Sequence, residues 1–427
     1  MYNLTHLTKT KTKNQIANFL ETICVNENKV IKRFIQDMIF GITVSKSVLL
    51  SEISRSLKEK ISLKKTIERL SNNLKKEMNF AAMEEKYLTT VKSEINTDTV
   101  IAVDDGDMTK EYATKFEKLA LVKDGNQKDK PCKLGYNTTN LFAVNASKEK
   151  RELIPLLGKL YSTKEEYFKT GFEEVKDLIS RLVKIIGSTG IYVLDRGFDS
   201  NKVINYLNGL WLTWLIRMTK RRNIKTLKGK VKKIEDFAQE IRKKYGEVEL
   251  FYGQDKDGYP KKLRGRLGFR RCIINGKVYT LIVIAKFNGK VGMMLLTNKK
   301  INGIKDMKQM LSAYNARWSV EDHFRCIKQS FKLEKWMVRS LQSVKNLYRL
   351  VNLLTACIGK IALNDYLKKL ILYIKEQALD VYDKTKFYIC ALAKGISNIL
   401  GKYTSKYWLK DKIIDKHKIS LPLIFPV

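Results

Sequence analysis

The chain has 427 residues, enough for roughly two or three domains and at least one large hydrophobic core. Its 82 lysines and arginines outnumber its 44 aspartates and glutamates and leave a net charge of +38, which favours a polyanionic partner such as nucleic acid. The six cysteines lie far apart and there are only three histidines, which argues against a zinc knuckle, a disulfide framework and a Ser-His-Asp triad.

Residues 1–95 contain few glycines and no proline, and we interpret them as a helical DNA-binding domain. Residues 1–14 are polar and lack the apolar segment of a secretory signal. Residues 45–74 have the spacing of two helices joined by a tight connection, with Ser62 as a natural N-cap of the second helix. A helix-turn-helix would insert that second helix in the major groove, and a plain helical hairpin is about as good an interpretation. The candidate DNA contacts on the second helix are Lys64, Lys65 and Arg69.

From residue 97 onward, the spacing of the apolar residues changes to that of an α/β sheet. Residues 99–103 form a short apolar run that ends in Asp104-Asp105-Gly106-Asp107, which is typical of a buried strand that meets a loop. Residues 190–194 form a second such run, followed by Asp195-Arg196-Gly197. The order of elements predicts one mixed sheet with flanking helices, in a core that spans residues 96–222 and resumes at 307–345. Further strands are predicted at 140–144, 153–160 and 211–216, and helices at 167–186 and 201–207.

Residues 223–306 interrupt this order and are predicted to form an inserted β-rich subdomain. Lysine and arginine are dense there, glycines recur, and residues 277–286 and 290–297 have the pattern of strands. The basic run 261–271 could lie along phosphate backbones, or it could be a solvated hairpin.

The stretch from Tyr314 to Lys328 places one acid and two cations along a single predicted helical face. At about 100° per residue, Arg317, Glu321 and Lys328 all fall within about 60° of Tyr314. The carboxylate could hold a metal ion while the arginine, lysine and tyrosine side chains bind phosphates of a nucleic-acid strand. The alternative is a solvated amphipathic helix whose charges only keep it soluble.

Residues 346–427 are predicted to be a C-terminal helical region that ends in a basic tail at about 402–418. Its most apolar stretch, 347–363, is interrupted by Arg349 and Lys360 and is too short and too polar to cross a bilayer. We therefore expect a cytoplasmic protein that does not enter a membrane.

Acidic residues occur at the ends of two predicted strands and on the predicted helix, where a metal site would need them. Ligands usually bind at strand ends of α/β sheets, and carboxylates that meet there repel one another unless a hard cation such as Mg²⁺ is bound. Two such ions can activate the attacking oxygen and stabilise the leaving oxygen of an in-line phosphoryl transfer. The acids are Asp104 or Asp105, Asp195 and Glu321.

The choice between the two adjacent aspartates is open. We prefer Asp105 because it precedes Gly106 and shares a strand face with Ile101 and Val103, and we keep Asp104 as the alternative first acid.

The same residues resemble the motif Tyr-x2-Arg-x3-Glu-x6-Lys of one large group of bacterial insertion-sequence transposases. Residues 101–106 resemble the first-aspartate strand of that group, and residues 193–200 resemble its second-aspartate motif. The resemblance covers about residues 40–345, and the motif residues here are Tyr314, Arg317, Glu321 and Lys328.

The resemblance implies a DDE transposase with an RNase H-like catalytic core, interrupted by a β-rich insertion between its second and third acids. It implies that the catalytic, metal-binding acids are Asp105, Asp195 and Glu321, with two Mg²⁺ ions that Mn²⁺ can replace. It also implies contacts to transposon-end DNA, for which the candidates are Tyr314, Arg317, Lys328 and Arg196.

The function that the resemblance implies is metal-dependent cleavage and strand transfer of insertion-sequence ends, of cut-and-paste type. The expected partners are double-stranded DNA, as transposon end and as target, and a second copy of the chain in a dimeric synaptic complex. The expected location is the bacterial cytoplasm, at the nucleoid. Two alternatives stay open: a structure-selective nuclease on the same fold, and a non-catalytic DNA-binding protein.

Overall fold

The structure is a computed structural model that describes residues 2–123, 132–145, 153–254, 260–381, 384 and 388–401. The predicted basic tail at 402–418 lies outside the described residues. The helices are α1 (Tyr2–Ile23), α2 (Lys29–Ser45), α3 (Leu50–Leu57), α4 (Leu63–Leu74), α5 (Phe80–Val91), α6 (Gly171–Ile186), α7 (Asn201–Gly209), α8 (Ile234–Gln239), α9 (Ile304–Ala316), α10 (Ser319–Arg325), α11 (Leu341–Leu363), α12 (Lys368–Glu376) and α13 (Tyr388–Leu400). The strands are β1 (Val100–Thr109), β2 (Ala120–Lys123), β3 (Cys132–Val144), β4 (Leu153–Tyr161), β5 (Ile191–Leu194), β6 (Thr213–Arg217), β7 (Asn223–Lys225), β8 (Val231–Lys233), β9 (Glu247–Gln254), β10 (Pro260–Ile274), β11 (Lys277–Ala285) and β12 (Val291–Thr297).

The N-terminal region is helical, as predicted. Ser62 caps α4, since its hydroxyl accepts a hydrogen bond from the Lys65 N–H at 3.4 Å. The preceding helix begins at Leu50 rather than at residue 45, because Lys46 adopts a left-handed conformation, with φ of 53°, and ends α2. A Cβ at Gly41 would lie 2.4 Å from Ile53 Cγ2, so glycine allows α2 and α3 to cross closely.

The centre of the molecule is a mixed sheet whose core strands run in the order β4-β3-β1-β5-β6. β3 is antiparallel to β1 and β4, while β1, β5 and β6 are parallel to one another. Helices flank both faces, and the fold is the mixed α/β, RNase H-like arrangement that the sequence predicted. The parallel strands put their C-terminal ends at one edge of the sheet, where ligands bind in folds of this type.

The predicted β-rich insertion is continuous with this sheet. β12 pairs antiparallel with β6, with Leu296 opposite Ile216, and the sheet then continues through β11, β10 and β7 to β8. Because β12 runs antiparallel to β6, its first residues extend beyond the C-terminal end of β6. The insertion therefore projects past the edge of the sheet where β5 and β6 end.

The two faces of the sheet belong to different parts of the core. Ile101 and Val103 of β1 pack in the larger cluster with α6, α7 and α11, whereas Val100 and Ala102 pack in the cluster that contains α9. β5 alternates in the same way, with Ile191 on the α9 side. This alternation decides which acids can meet, because side chains on opposite faces of a sheet cannot converge.

Two predicted element boundaries near the acids are wrong. β1 does not end at residue 103 but pairs with β3 from Val100 to Thr109, so Asp104 and Asp105 lie within a strand. The stretch from Tyr314 to Lys328 is not one helix: α9 ends at Ala316, α10 begins at Ser319, and residues 326–330 form a π-helical turn. The four motif residues therefore do not share a single helical face.

The C-terminal helices pack on the N-terminal ones. α13 contacts α1, α2 and α11, and α11 contacts α4 and α5, so buried residues from both ends of the chain share one hydrophobic cluster. Within the described residues, no single helix is long and apolar enough to span a membrane; α2 and α3 would suffice only together, and they are bent by 98° at their junction.

Candidate active site

Asp104 and Asp195 lie side by side at the edge of the sheet where the parallel strands end. The register of β1 and β5 pairs Val103 with Leu194, so the next residues in each chain are the two aspartates. Both side chains continue the α9 face of their strands, after Ala102 in β1 and Val193 in β5. Two carboxylates thus meet where the sequence predicted a metal site.

Asp105 lies on the opposite face of β1, with Ile101 and Val103. After burial, its charge is the next largest cause of the raised pKa of Tyr161 on β4. Its side chain is therefore directed away from Asp195. The sequence favours Asp105 because this residue shares a face with two apolar residues, but both faces of β1 are buried, so that criterion cannot select a face. The geometry favours Asp104 as the first acid.

Arg317 is the cation that contacts Asp104. Its Nη1 lies 2.8 Å from Asp104 Oδ1, and only 5% of the arginine side chain is exposed. Burial raises the pKa of Asp104 to about 6, with a further increase from the Asp195 charge, while Arg317 acts in the opposite direction. The second acid differs: burial alone would raise the pKa of Asp195, but Arg317, the Arg196 backbone N–H and Arg217 lower it overall.

Two more side chains reach Asp195. The hydroxyl of the buried Tyr314, on α9, donates a hydrogen bond to Asp195 Oδ1 at 3.2 Å. Arg217, the last residue of β6, places its Nη1 3.9 Å from the same oxygen. Tyr314 and Arg317 of the motif thus contact the carboxylates directly, on either side of the point where α9 ends.

Glu321 lies on the exposed side of α10, one turn after Arg317. Burial alone would lower the pKa of Arg317, but the charges of Asp104, Tyr314, Asp195 and Glu321 raise it overall. The carboxylates of Asp104, Asp195 and Glu321 therefore all act on one guanidinium. Within the part of the chain that the structure describes, no three Asp, Glu, His or Cys side chains are grouped closely enough to hold a metal ion.

The donor set fits a hard divalent cation in its chemistry. Asp104 and Asp195 supply carboxylate oxygens from adjacent strands, just beyond the last residues that pair β1 with β5, and carboxylates are the ligands that Mg²⁺ and Mn²⁺ prefer. The raised pKa of Asp104 indicates that the positive charge present is insufficient to offset the burial of that carboxylate. Glu321 is near enough to act electrostatically and is not part of a three-ligand group in this conformation.

The fourth motif residue, Lys328, lies elsewhere. Its Nζ is 3.1 Å from Glu334 Oε1 and 3.8 Å from Asp107 Oδ2, and 18% of the side chain is exposed. Glu334 also accepts a hydrogen bond from the Thr109 N–H at 3.3 Å. Through these two ion pairs, Lys328 links the end of β1 to the segment that follows the π-helical turn.

The three cations predicted on α4 have different surroundings. Lys64 and Lys65 are exposed. Arg69 is only 26% exposed, and its Nη2 lies 2.9 Å from both Asp37 Oδ2 of α2 and Glu59 Oε1. These ion pairs place Arg69 in the junction between helices, which the sequence did not indicate.

A basic groove opens beside Asp195, between the segment after β6 and the start of β12. It has a volume of about 470 Å³ and a floor that includes Met218 and Met293. Arg196, a predicted DNA contact, is exposed on its rim. Sequence reasoning missed the other cations of the groove, although they form a basic run directly after an apolar strand: Arg217, Lys220 and Arg221.

A family model described as a transposase DDE domain matches residues 96–357. Among solved structures, a cryo-EM structure of a piggyBac transposase synaptic complex with hairpin DNA is similar, with 11% sequence identity and a TM-score of 0.43 over 96% of this chain and 83% of that chain. No curated protein gives a significant match.

Proposed function

The chain belongs to the transposase DDE domain family, and we propose that it cleaves the ends of an insertion sequence and joins them to target DNA. The observation that carries this proposal is the meeting of Asp104 and Asp195 at the C-terminal edge of the parallel strands. We further propose that the chain belongs to the group with the Tyr-x2-Arg-x3-Glu-x6-Lys motif and acts in the bacterial cytoplasm, at the nucleoid.

In this proposal, Asp104 and Asp195 hold Mg²⁺, with Glu321 as the third acid and Mn²⁺ as a substitute ion. Divalent ions so held supply electrostatic stabilisation of an attacking and a leaving oxygen in a phosphoryl transfer. Tyr314 orients Asp195 through its hydrogen bond, and the surrounding apolar residues of α9 limit the access of water from that side.

The basic groove is the proposed path of a DNA strand next to the acids. Arg196 and Arg221 are exposed on its rim, where a phosphate could pair with a guanidinium through two parallel hydrogen bonds. The net charge of +38 supports a polyanionic partner for the chain as a whole. Lys64 and Lys65 on α4 are proposed contacts to the transposon end.

The proposed reaction needs no covalent enzyme intermediate. Water attacks the scissile phosphodiester and releases a 3′-hydroxyl, and that hydroxyl then attacks a phosphodiester of the target strand and displaces its 3′ oxygen. Each step breaks one P–O bond and forms one, so no external energy source is required. Two cut ends must be held together for joining, and we propose a homodimer for this purpose.

The test is a cleavage and strand-transfer assay with labelled DNA that contains the element's end, in Mg²⁺ or Mn²⁺. We expect nicked and joined products from the wild type and neither product from Asp195→Ala or Glu321→Ala, with circular dichroism to show that both variants are folded. Retained cleavage by either variant would falsify the assigned roles. Cleavage without joining would instead identify a nuclease.

A further inference from the structure

Arg317 pairs with a carboxylate oxygen that a metal ion at this site would need. Its Nη1 is 2.8 Å from Asp104 Oδ1, and it also lowers the pKa of the neighbouring Asp195. The arginine is 5% exposed, so its charge is balanced by these carboxylates rather than by water. One guanidinium thus neutralises much of the negative charge of the site.

The hydrogen bonds of this guanidinium are incomplete. Arg317 Nε is buried and has no hydrogen-bond acceptor within the described residues. A buried N–H without an acceptor is unfavourable, and an arginine fork is normally satisfied by a bidentate anion. In its present position Arg317 therefore has one donor, Nε–H, that a phosphate could accept a hydrogen bond from.

Arg317 also has contacts that do not depend on Asp104. Arg317 follows the last residue of α9 and precedes the first turn of α10, so it lies at the break between two helices. Its guanidinium lies 4.8 Å from the ring centroid of Trp318 and 5.8 Å from that of Tyr314, two contacts that do not require Asp104. Loss of the ion pair would leave the arginine in contact with aromatic side chains.

We propose that Arg317 is a place-holder for the first divalent ion: it pairs with Asp104 in the metal-free protein and is displaced when the ion binds. This inference rests on the proposed function, because it concerns the same acids. Metal ion and guanidinium compete for the same carboxylate oxygens and repel each other, so each lowers the affinity of the site for the other. Displacement frees the arginine fork for a phosphate of the strand to be cut.

While no metal ion is bound, the Arg317 guanidinium supplies the counter-charge for two acids that face each other from adjacent strands. It also makes metal binding and DNA binding mutually supportive, since a phosphate that accepts hydrogen bonds from Arg317 removes the competitor of the metal ion. Arg317 is therefore a positioning residue whose effect can be measured without DNA and without catalysis.

The test is calorimetric titration of the full chain with Mn²⁺ at pH 8, in wild type, Arg317→Gln and Arg317→Lys. Removal of the competing charge should tighten Mn²⁺ binding by at least about tenfold in Arg317→Gln, whereas Arg317→Lys, which keeps the charge, should stay close to wild type. The matched control is Arg55→Gln, which removes an exposed cation of α3 that pairs with Glu52, and it should change the affinity by less than about threefold.

Unchanged or weaker Mn²⁺ binding in folded Arg317→Gln would overturn the place-holder role and leave the proposed function standing. Absence of Mn²⁺ binding in every protein would instead contradict the metal site of the proposed function. If Arg317→Gln does not fold, the wild type can still be tested by NMR. Addition of Mg²⁺ should shift the Nε–H resonance of Arg317, which is assigned by its loss from the spectrum of Arg317→Lys. A resonance that does not move would refute displacement of the arginine.

Discussion

Replacement of Asp104 by Asn should abolish DNA cleavage, whereas the same change at Asp105 should leave most of it. The two residues are adjacent and chemically identical, so the comparison isolates the direction of the side chain. Asp104 lies beside Asp195 on the α9 face, and Asp105 lies on the other face of β1.

The expected size of the difference depends on the role of each carboxylate. Loss of a carboxylate that holds a catalytic metal ion removes several kcal/mol of transition-state stabilisation. Taking about 4 kcal/mol, at 1.36 kcal/mol for each factor of ten, Asp104→Asn should be slower by roughly a thousandfold. Asp105→Asn keeps Asp104, Asp195 and Arg317 in place and should stay within about fivefold of wild type.

The assay is single-turnover cleavage of a labelled oligonucleotide that contains the element's end, at saturating protein and Mg²⁺. Circular dichroism and thermal unfolding of both variants serve as the control for folding. A large loss in Asp105→Asn together with an active Asp104→Asn would refute the reasoning from strand faces and restore the preference derived from the sequence.

Three further predictions concern pH, helix junctions and the groove. Burial raises the pKa of Asp104 from 3.8 to about 6. The contribution of this carboxyl group to the free energy of unfolding is therefore fully present below about pH 4 and is lost as the pH rises through about 6. In urea unfolding of metal-free protein, the wild type should lose about 1 kcal/mol more of that free energy than Asp104→Asn between pH 5 and pH 8. Arg69→Ala leaves Asp37 and Glu59 to pair with the more exposed Arg33 and should lower the free energy of unfolding by about 2 kcal/mol. Lys64→Ala should weaken DNA binding without a change in thermal unfolding. Arg196→Ala and Arg221→Ala should each reduce the slope of log K against log salt concentration by about 1 in DNA-binding titrations, and unchanged slopes would exclude the groove as a phosphate path.

Local patterns in the sequence predicted much of the architecture. The apolar run before Asp195 forms β5, and Ser62 caps α4 as its position suggested. The order of strands and helices predicted the mixed α/β sheet, and the resemblance implied its RNase H-like arrangement. The transposase DDE family that the motifs resemble is confirmed. The strand β5 and the cap of α4 depend on residues that are close together in the sequence.

The features that sequence reasoning missed depend on partners far away in the chain. The register of β1 against β5 places Asp104, and not Asp105, on the face of Asp195, and an apolar strand buried on both faces carries no signal of it. The break between α9 and α10 at Arg317 removes the single helical face that a continuous periodicity suggests. Lys328 and Arg69 have carboxylate partners on other elements, and no spacing in the sequence reveals those ion pairs.

The metal site itself can be tested by anomalous diffraction from crystals of the protein grown with Mn²⁺. We expect an anomalous peak about 2.1 Å from carboxylate oxygens of both Asp104 and Asp195, with Arg317 displaced from Asp104. A peak at Asp105, or no peak beside Asp104 and Asp195 where the pairing of β1 with β5 ends, would contradict the assignment of these two acids as the metal ligands.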